Sequence, residues 1–254
     1  MYALGVAAKS EKGPYRRCNE DNYRLETGPS GSWHLCVVAD GMGGQQAGEC
    51  ASRIAVEQIA DHVRRHLHGV RGDEAIARVL QEAAVRANNE ILSLAAVEPS
   101  YAGMGTTVVF VLVKGDRAYA GGIGDSRCYH LRNNILEQLT EDHTLASVLE
   151  RIGSVEIDQM HQVRFRNTLY KYLGSKEAGV GPDIKVLAPR AGDRMLLTTD
   201  GLTGVVSDER IASILGAAAS PQEAVDQLVN AALRADSRDN ITCVAIFFDP
   251  TRSD

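Results

Sequence analysis

The chain has 254 residues and a formal net charge of -6, with acidic and basic side chains mixed along it rather than blocked, so a nucleic-acid-binding surface is not expected as its main business. Hydrophobic residues make up 44% and charged residues 24%, the balance of an ordinary globular protein, and no run approaches the roughly 18 to 20 apolar residues of a membrane span. Cys18, Cys36, Cys50, Cys128 and Cys243 form no C-x-x-C pair, which predicts reduced, mostly buried thiols, and the start of the chain lacks a signal-peptide pattern, so a complete, cytoplasmic chain is expected.

Residues 2 to 9 read as a first strand, followed by a loop carrying Arg16-Arg17-Cys18-Asn19-Glu20-Asp21-Asn22. The apolar run from Cys36 reads as a buried strand that halts at Asp40, and Asp40-Gly41-Met42-Gly43-Gly44 demands a sharp turn. Beyond it, Ala51, Ile54, Ala55, Ile59 and Val63 share one helical face. A second helix begins near Asp73, its expected N-cap, and carries Ile76, Leu80, Ala83, Ala87, Ile91 and Leu94 at spacings of three and four. Between them lies a cationic stretch, His62 to Arg71. His62 and His66 are four apart but lack the Glu of H-E-x-x-H, so a cationic helix end is the better reading.

From Thr106 the pattern turns to β: Thr106 to Val113, a turn at Lys114-Gly115-Asp116, Arg117 to Ile123, Ser126 to Leu131, a turn at Arg132-Asn133-Asn134, then Ile135 to Leu139. Strands joined by short turns predict an antiparallel sheet. Residues 140 to 144 precede a short helix, Leu145 to Ile152. The stretch 153 to 185 is the least regular, with a short helix expected near Val155 to Gln162 and basic residues Arg164, Arg166, Lys171 and Lys176. It reads either as a substrate-facing flap or as a solvated connection. Then follow a strand at Lys185 to Leu187, a strand ending at Asp200, helices Asp208 to Leu215 and Pro221 to Ala235, and a last strand from Ile241.

One feature repeats. Asp40, Asp125 and Asp200 each follow an apolar strand, Asp239 directly precedes one, and Glu20-Asp21 adds an acidic pair. A single such Asp reads as a turn or cap residue. Four of them with an acidic pair call for a common cause: converging carboxylates repel unless neutralised, and an oxygen-only set suits Mg²⁺ or Mn²⁺. A two-metal site is expected, with Arg16 close enough in sequence for its planar fork to reach an oxyanion there. Carboxylates from both halves of the chain make one domain, residues 1 to 250, more economical than two.

Nucleotide motifs are excluded, since Gly41-Met42-Gly43-Gly44-Gln45-Gln46 lacks the third glycine of G-x-G-x-x-G and no P-loop occurs. Gly124-Asp125-Ser126-Arg127-Cys128 misses the last glycine of a nucleophile elbow, so Ser126 reads as a sheet-end serine.

The ordered motifs Arg16-x-x-Asn19-Glu20-Asp21, Asp40-Gly41-Met42-Gly43-Gly44-x-x-Ala47-Gly48-Glu49, Gly105-Thr106-Thr107, Gly124-Asp125-Ser126-Arg127, Leu139-Thr140-x-Asp142-His143, Thr199-Asp200-Gly201-Leu202 and Ser237-Arg238-Asp239-Asn240-Ile241-Thr242 resemble those of the type 2C, metal-dependent Ser/Thr protein phosphatases, bacterial type. The resemblance implies an α+β fold, a four-layer αββα sandwich of two antiparallel sheets flanked by helices. It implies that Asp40 bridges two Mn²⁺ or Mg²⁺ ions, with the Gly41 carbonyl, Glu20 and Asp21 on one side and Asp200 and Asp239 on the other. Asp125 resembles the ligand of a third, weaker ion, and Arg16 the phosphate-binding arginine. The reaction implied is hydrolysis of phosphomonoesters by a metal-bridged water, without a protein nucleophile. Phosphorylated proteins and a cognate Ser/Thr kinase are the expected partners, with no nucleic acid or membrane, and the chain is expected to be a monomer. The alternatives are a slow-turnover scaffold of the same fold or a phosphatase for small esters. Met42 and Gln45 depart from the family: members carry a histidine at one or the other, implicated in protonating the leaving group, and neither residue here is such a donor.

Overall fold

The strand-forming runs assemble into two antiparallel sheets in a computed structural model that describes residues 2–43, 46–151 and 168–251. One sheet has the order β1 (Tyr2–Glu11), β11 (Ile241–Pro250), β10 (Arg194–Thr198), β7 (Arg127–Arg132), β8 (Ile135–Gln138). The other runs β2 (Asp21–Thr27), β3 (His34–Met42), β5 (Val108–Lys114), β6 (Arg117–Ile123), β9 (Ile184–Leu187), and a two-residue β4 (Gly105–Thr106) pairs with the end of β3. First and last strands of the chain are neighbours, so the final strand closes the first sheet.

Strands buried on both faces need no polar alternation, which is why β5 reads Val-Val-Phe-Val-Leu-Val. Its even and odd positions enter different cores. Val109 and Val111 meet Met195, Leu197, Val244, Ile246 and Phe248 between the sheets, whereas Phe110 and Leu112 face outward onto Ile54, Ile59, Val63, Leu80 and Ile91. Those partners lie on α1 (Ala47–His66) and α2 (Asp73–Val97). Across the molecule Tyr129, Leu196, Ala245 and Phe247 pack with Ile211, Leu215, Val225 and Leu228, from α5 (Asp208–Ala217) and α6 (Pro221–Arg234). The four layers are therefore helix, sheet, sheet, helix, as the resemblance implies. Two short α-helices, α3 (Leu145–Arg151) and α4 (Asp200–Thr203), lie outside these layers' long helices.

Several boundaries differ from the sequence reading. Asp21 and Asn22, expected in a loop, begin a strand that runs to Thr27, where no element was expected; β2 is a sheet edge whose Tyr23 and Leu25 stay exposed, so its alternation is not tied to a core. Asp73 is the first helical residue rather than the N-cap, Gly72 holding that position, because its carboxylate accepts the Tyr119 hydroxyl instead (2.8 Å). Asp200 opens α4 instead of ending β10. Asn133 and Asn134 both take positive φ, 52° and 63°, the mirror-image turn that suits a tight hairpin. The helix expected at Val155 to Gln162, Arg164 and Arg166 lie outside the described residues, as does Gln45.

The stacked rings of His62 and His66 (4.1 Å between centroids) precede the end of α1, whose last turn holds Arg64, Arg65 and His66, the cationic helix end expected.

None of the five cysteines is in a disulfide; Cys36, Cys50, Cys128 and Cys243 are buried, and Cys18 is half-exposed. Burial pushes the Cys36 and Cys243 thiols up to about 12 and raises that of Cys128 as well. The native protein is therefore expected to give one rapidly reacting thiol with an aromatic disulfide reagent at pH 8 and five after unfolding. Two or more fast thiols in the native state would contradict this packing.

Candidate metal centre

The two sheets bring their carboxylates together at one rim. Asp21 at the start of β2 is the direct cross-strand neighbour of Asp40 near the end of β3, and like charges so placed destabilise a sheet unless neutralised. From the other sheet come Asp200, just past β10, and Asp239, just before β11. Asp125 sits in the turn between β6 and β7, and Glu20 immediately precedes β2.

Short, uncharged polar groups hold the Asp21 carboxylate directly and Glu20 and Asp40 through their backbone. Asp21 Oδ2 accepts the hydroxyls of Thr199 (3.0 Å), just past β10, and Thr242 (2.7 Å), on β11 of the opposite sheet. The backbone N–H of Glu20 donates to Asn240 Oδ1 (2.9 Å), and Asn240 Nδ2 donates to the carbonyls of Lys12 (2.8 Å) and Cys18 (3.0 Å). Asp40 N–H donates to Thr107 Oγ1 (3.0 Å), whose hydroxyl also pairs with Ser126 Oγ (2.7 Å). Ser126 is thus a sheet-end clamp, as expected. Beneath the acids, Gly41 lets α1 approach: a Cβ there would lie 2.1 Å from the Gly48 carbonyl oxygen.

These supports leave the inward-facing oxygens without partners. Glu20 Oε1, Asp21 Oδ1 and Asp200 Oδ1 are buried and make no hydrogen bond. The electrostatics agree. Burial, then the charges of Asp21, Asp200, Asp239 and Asp125, push Asp40 well above the ordinary carboxylate range. Burial raises Asp21 to about 7 against the pull of its two threonine hydroxyls, with Asp200 and Asp239 adding to the rise. Asp125 is raised to about 7 by burial, Asp200 and Asp142. Asp200 is raised by burial and Asp239, and Glu20 by burial despite Arg16. Asp40, Asp125 and Asp200 still reach the cleft wall, where a cation has access to them.

Among the described residues, no three His, Cys, Asp or Glu side chains form a ready-made cage for one ion. The donor set, acidic and all oxygen, suits hard divalent cations. Orphaned buried oxygens and mutual repulsion are what such ions would relieve, so the residues fit them.

The structure places Asp21, Asp40, Asp125, Asp200 and Asp239 within one another's electrostatic reach, and Glu20 and Arg16 beside Asp239. The like charges of Asp200 and Asp239 act on Asp21, and those of Asp239 and Glu49 on Glu20. The Arg16 guanidinium is engaged with Asp239 Oδ2 (2.5 Å) and lies 3.7 Å from Glu20 Oε2. Sequence reasoning gave no part to Asn240, Thr199, Thr242 or Thr107. All four fall inside the motifs, and that is the signal that would have found them. A cavity of about 370 Å³ adjoins the acids, lined by Asp125, Asp200, Arg127, Asp142 and Glu150 among others. Of the residues assigned to a flap, Lys171 spends its ammonium on the Gly181 carbonyl (2.9 Å).

This fold and this acidic rim define a class of αββα protein built around paired carboxylates. Residues 16–235 match the protein phosphatase 2C family, and the chain belongs to that family. It is 38% identical over 245 residues to the serine/threonine protein phosphatase PstP of Mycobacterium tuberculosis, covering 95% of this chain and 44% of the relative; the chain spans about half the length of that protein. It is 34% identical to the serine/threonine phosphatase stp of Listeria monocytogenes, with 96% of each chain covered. Among solved structures, the catalytic domain of PstP in complex with two manganese ions superposes with a TM-score of 0.82 at 34% identity, over 97% of this chain and 99% of that one. A serine/threonine phosphatase of S. agalactiae gives 0.89 at 26% identity, over 97% and 100%.

The raised carboxylates carry a pH dependence of definite sign. Their folded pKa values, about 7 for Asp21 and Asp125, exceed the roughly 3.9 of an unfolded Asp. The folded state therefore binds more protons across that window, and stability falls as pH rises through it. Protein held in a chelator is expected to melt lower at pH 8 than at pH 5, by roughly 5 °C or more, and Mn²⁺ is expected to raise the melting temperature most at pH 8. A flat profile without cations would show that the carboxylates do not share one repulsive site.

Proposed function

We propose that this chain is a metal-dependent serine/threonine protein phosphatase, hydrolysing phosphomonoesters on phosphoproteins. The observation that carries the reading is the convergence of Asp21, Asp40, Asp200 and Asp239 from two sheets, with buried oxygens left unpaired. In this reading Asp40, Glu20, Asp21, the Gly41 carbonyl, Asp200 and Asp239 would hold two ions, Mn²⁺ or Mg²⁺, and Asp125 would hold a third, weaker one. Such ions, when bound, activate water at neutral pH and neutralise charge on a phosphoryl group.

The protein's own part is placement. Thr199 and Thr242 aim Asp21 by holding one of its oxygens, and Asn240 sets Glu20 through its backbone. Arg16 has five N–H donors on a planar fork; once Asp239 is engaged elsewhere, that fork is free to take two phosphate oxygens. Ser126 is committed to Thr107 and does not act as a nucleophile. The cavity beside Asp125 would receive the peptide next to the phosphorylated residue.

The names of the mycobacterial and listerial relatives support Ser/Thr phosphoproteins as substrates, and the manganese-containing PstP structure supports two ions. We take residues 1 to 250 as one phosphatase domain, acting as a monomer against a cognate Ser/Thr kinase in the cytoplasm. Among the described residues no helix is long and apolar enough to cross a membrane.

Phosphate release from a phosphothreonine peptide, followed while Mn²⁺ or Mg²⁺ is titrated into chelator-stripped protein, is expected to rise from background and to return there on chelation. Asp40→Asn and Asp239→Asn are each expected to lower kcat by roughly 100-fold or more while leaving the circular dichroism spectrum intact. Wild-type turnover in either variant would overturn the two-ion assignment. Arg16→Ala is expected to raise KM for the phosphopeptide roughly tenfold, with a smaller effect on the Mn²⁺ concentration needed for half activation; an unchanged KM would show that Arg16 does not hold phosphate.

A further inference from the structure

The turn 124–126, which presents Asp125, is held on two sides. On one side Ser126 pairs with Thr107, which in turn accepts from Asp40 N–H. Gly124 makes that approach possible: its φ is +105°, and a Cβ there would lie 2.6 Å from the Thr107 side chain. On the other side stand Asp142 and His143. Asp142 takes a forked ion pair from Arg127 (2.7 Å to Nη2) and accepts Gln138 Nε2 (2.8 Å). His143 does something more specific. Its Nδ1 accepts the backbone N–H of Gly124 (3.0 Å), while the His143 backbone N–H donates to the Gly124 carbonyl (2.9 Å).

A ring nitrogen that accepts an amide proton carries none itself, so His143 is neutral with its proton on Nε2. The ring is fixed from behind. Tyr170 N–H donates to the His143 carbonyl (3.0 Å), Leu145 N–H donates to the Thr168 carbonyl (2.9 Å), and the Tyr170 ring meets the imidazole edge-on, centroids 5.6 Å apart. The same piece of chain then pairs Leu173 with Thr106 in both directions (2.9 Å each), and Thr106 Oγ1 donates to the Asp40 carbonyl (2.8 Å). Residues 168–173 thus strap the Asp125 turn to the Asp40 strand.

We propose that His143 is a positioning residue: as hydrogen-bond acceptor for Gly124 it sets the turn that aims Asp125, and the strap at 168–173 holds it there. It is assigned no proton transfer. The activity readout rests on the phosphatase reading, and the proposal deepens that reading by naming what orients one of its carboxylates.

Asparagine and glutamine separate the two roles, because Asn Oδ1 occupies the place of Nδ1 whereas the glutamine amide reaches the place of Nε2. With saturating Mn²⁺ and a phosphothreonine peptide, His143→Asn is expected to keep kcat within about threefold of wild type. His143→Gln and His143→Leu are expected to lose roughly tenfold or more in kcat, with KM changed less than about threefold. Independently of activity, the Gly124 amide is expected to be strongly protected from hydrogen exchange in metal-free wild type and in His143→Asn, and to exchange faster in the Gln variant. An Asn variant as impaired as the Gln variant, Gln and Leu variants with wild-type kcat, or an unprotected Gly124 amide in wild type would each overturn the proposal. Should the Leu variant fail to fold, the Asn and Gln pair carries the comparison. Should wild type release no phosphate with any cation, the phosphatase reading falls, and exchange at Gly124 alone decides the role of His143.

Discussion

Two aspartates face each other across adjacent antiparallel strands, Asp21 on β2 and Asp40 on β3, and the rim of the molecule is organised around that repulsion. Nothing local relieves it. Asp200 and Asp239 arrive from the second sheet and deepen the negative field, so each new strand added to the rim raises the cost of leaving it without cations. The architecture is therefore conditional in one place: the cores between and outside the sheets are apolar and self-sufficient, while the rim calls for positive charge from outside the chain.

The way the acids are held fits that condition. Threonine hydroxyls orient the Asp21 carboxylate, and Asn240 and Thr107 set the backbone of Glu20 and Asp40, all groups that place an acid without cancelling its charge. Asp21 shows the effect: two hydroxyls hold one of its oxygens, yet burial and neighbouring charge still raise it to about 7. The guanidinium of Arg16 is the exception, lying against Asp239 and near Glu20. Arg16 is thus a counter-charge supplied by the chain itself, from a partly exposed loop. By contrast, the Arg127–Asp142 pair is forked and backed by Gln138, and it serves as a brace beside the Asp125 turn.

Much of this was legible beforehand where one physical signal dominated. The helical faces of α1 and α2 and the doubly buried β5 follow from periodicity, because each side chain there answers to a core. The edge strand β2 escaped notice, since its Tyr23 and Leu25 answer to solvent. The start of α2 shifted by one residue because Asp73 bonds Tyr119, more than forty positions away. The acids themselves stood out by their recurrence at strand ends, but their clamps did not. Threonine and asparagine in a strand carry no sign of what they hold.

Residue order along the chain settles the chemistry available: an oxygen-only donor set, glycines where the backbone must come close, and apolar runs that must pair into sheets. It also settles family membership, because motifs in fixed order survive any ignorance of contacts. Which acid lies opposite which, which oxygen remains free, and how Asp125 is tied to Asp40 through Thr107, Thr106 and the 168–173 strap were decided by the tertiary structure alone. The reason is that these are pairings between residues far apart in the chain, set by strand register and sheet packing. A carboxylate can be counted in a sequence, but its neighbours are chosen when the two sheets close.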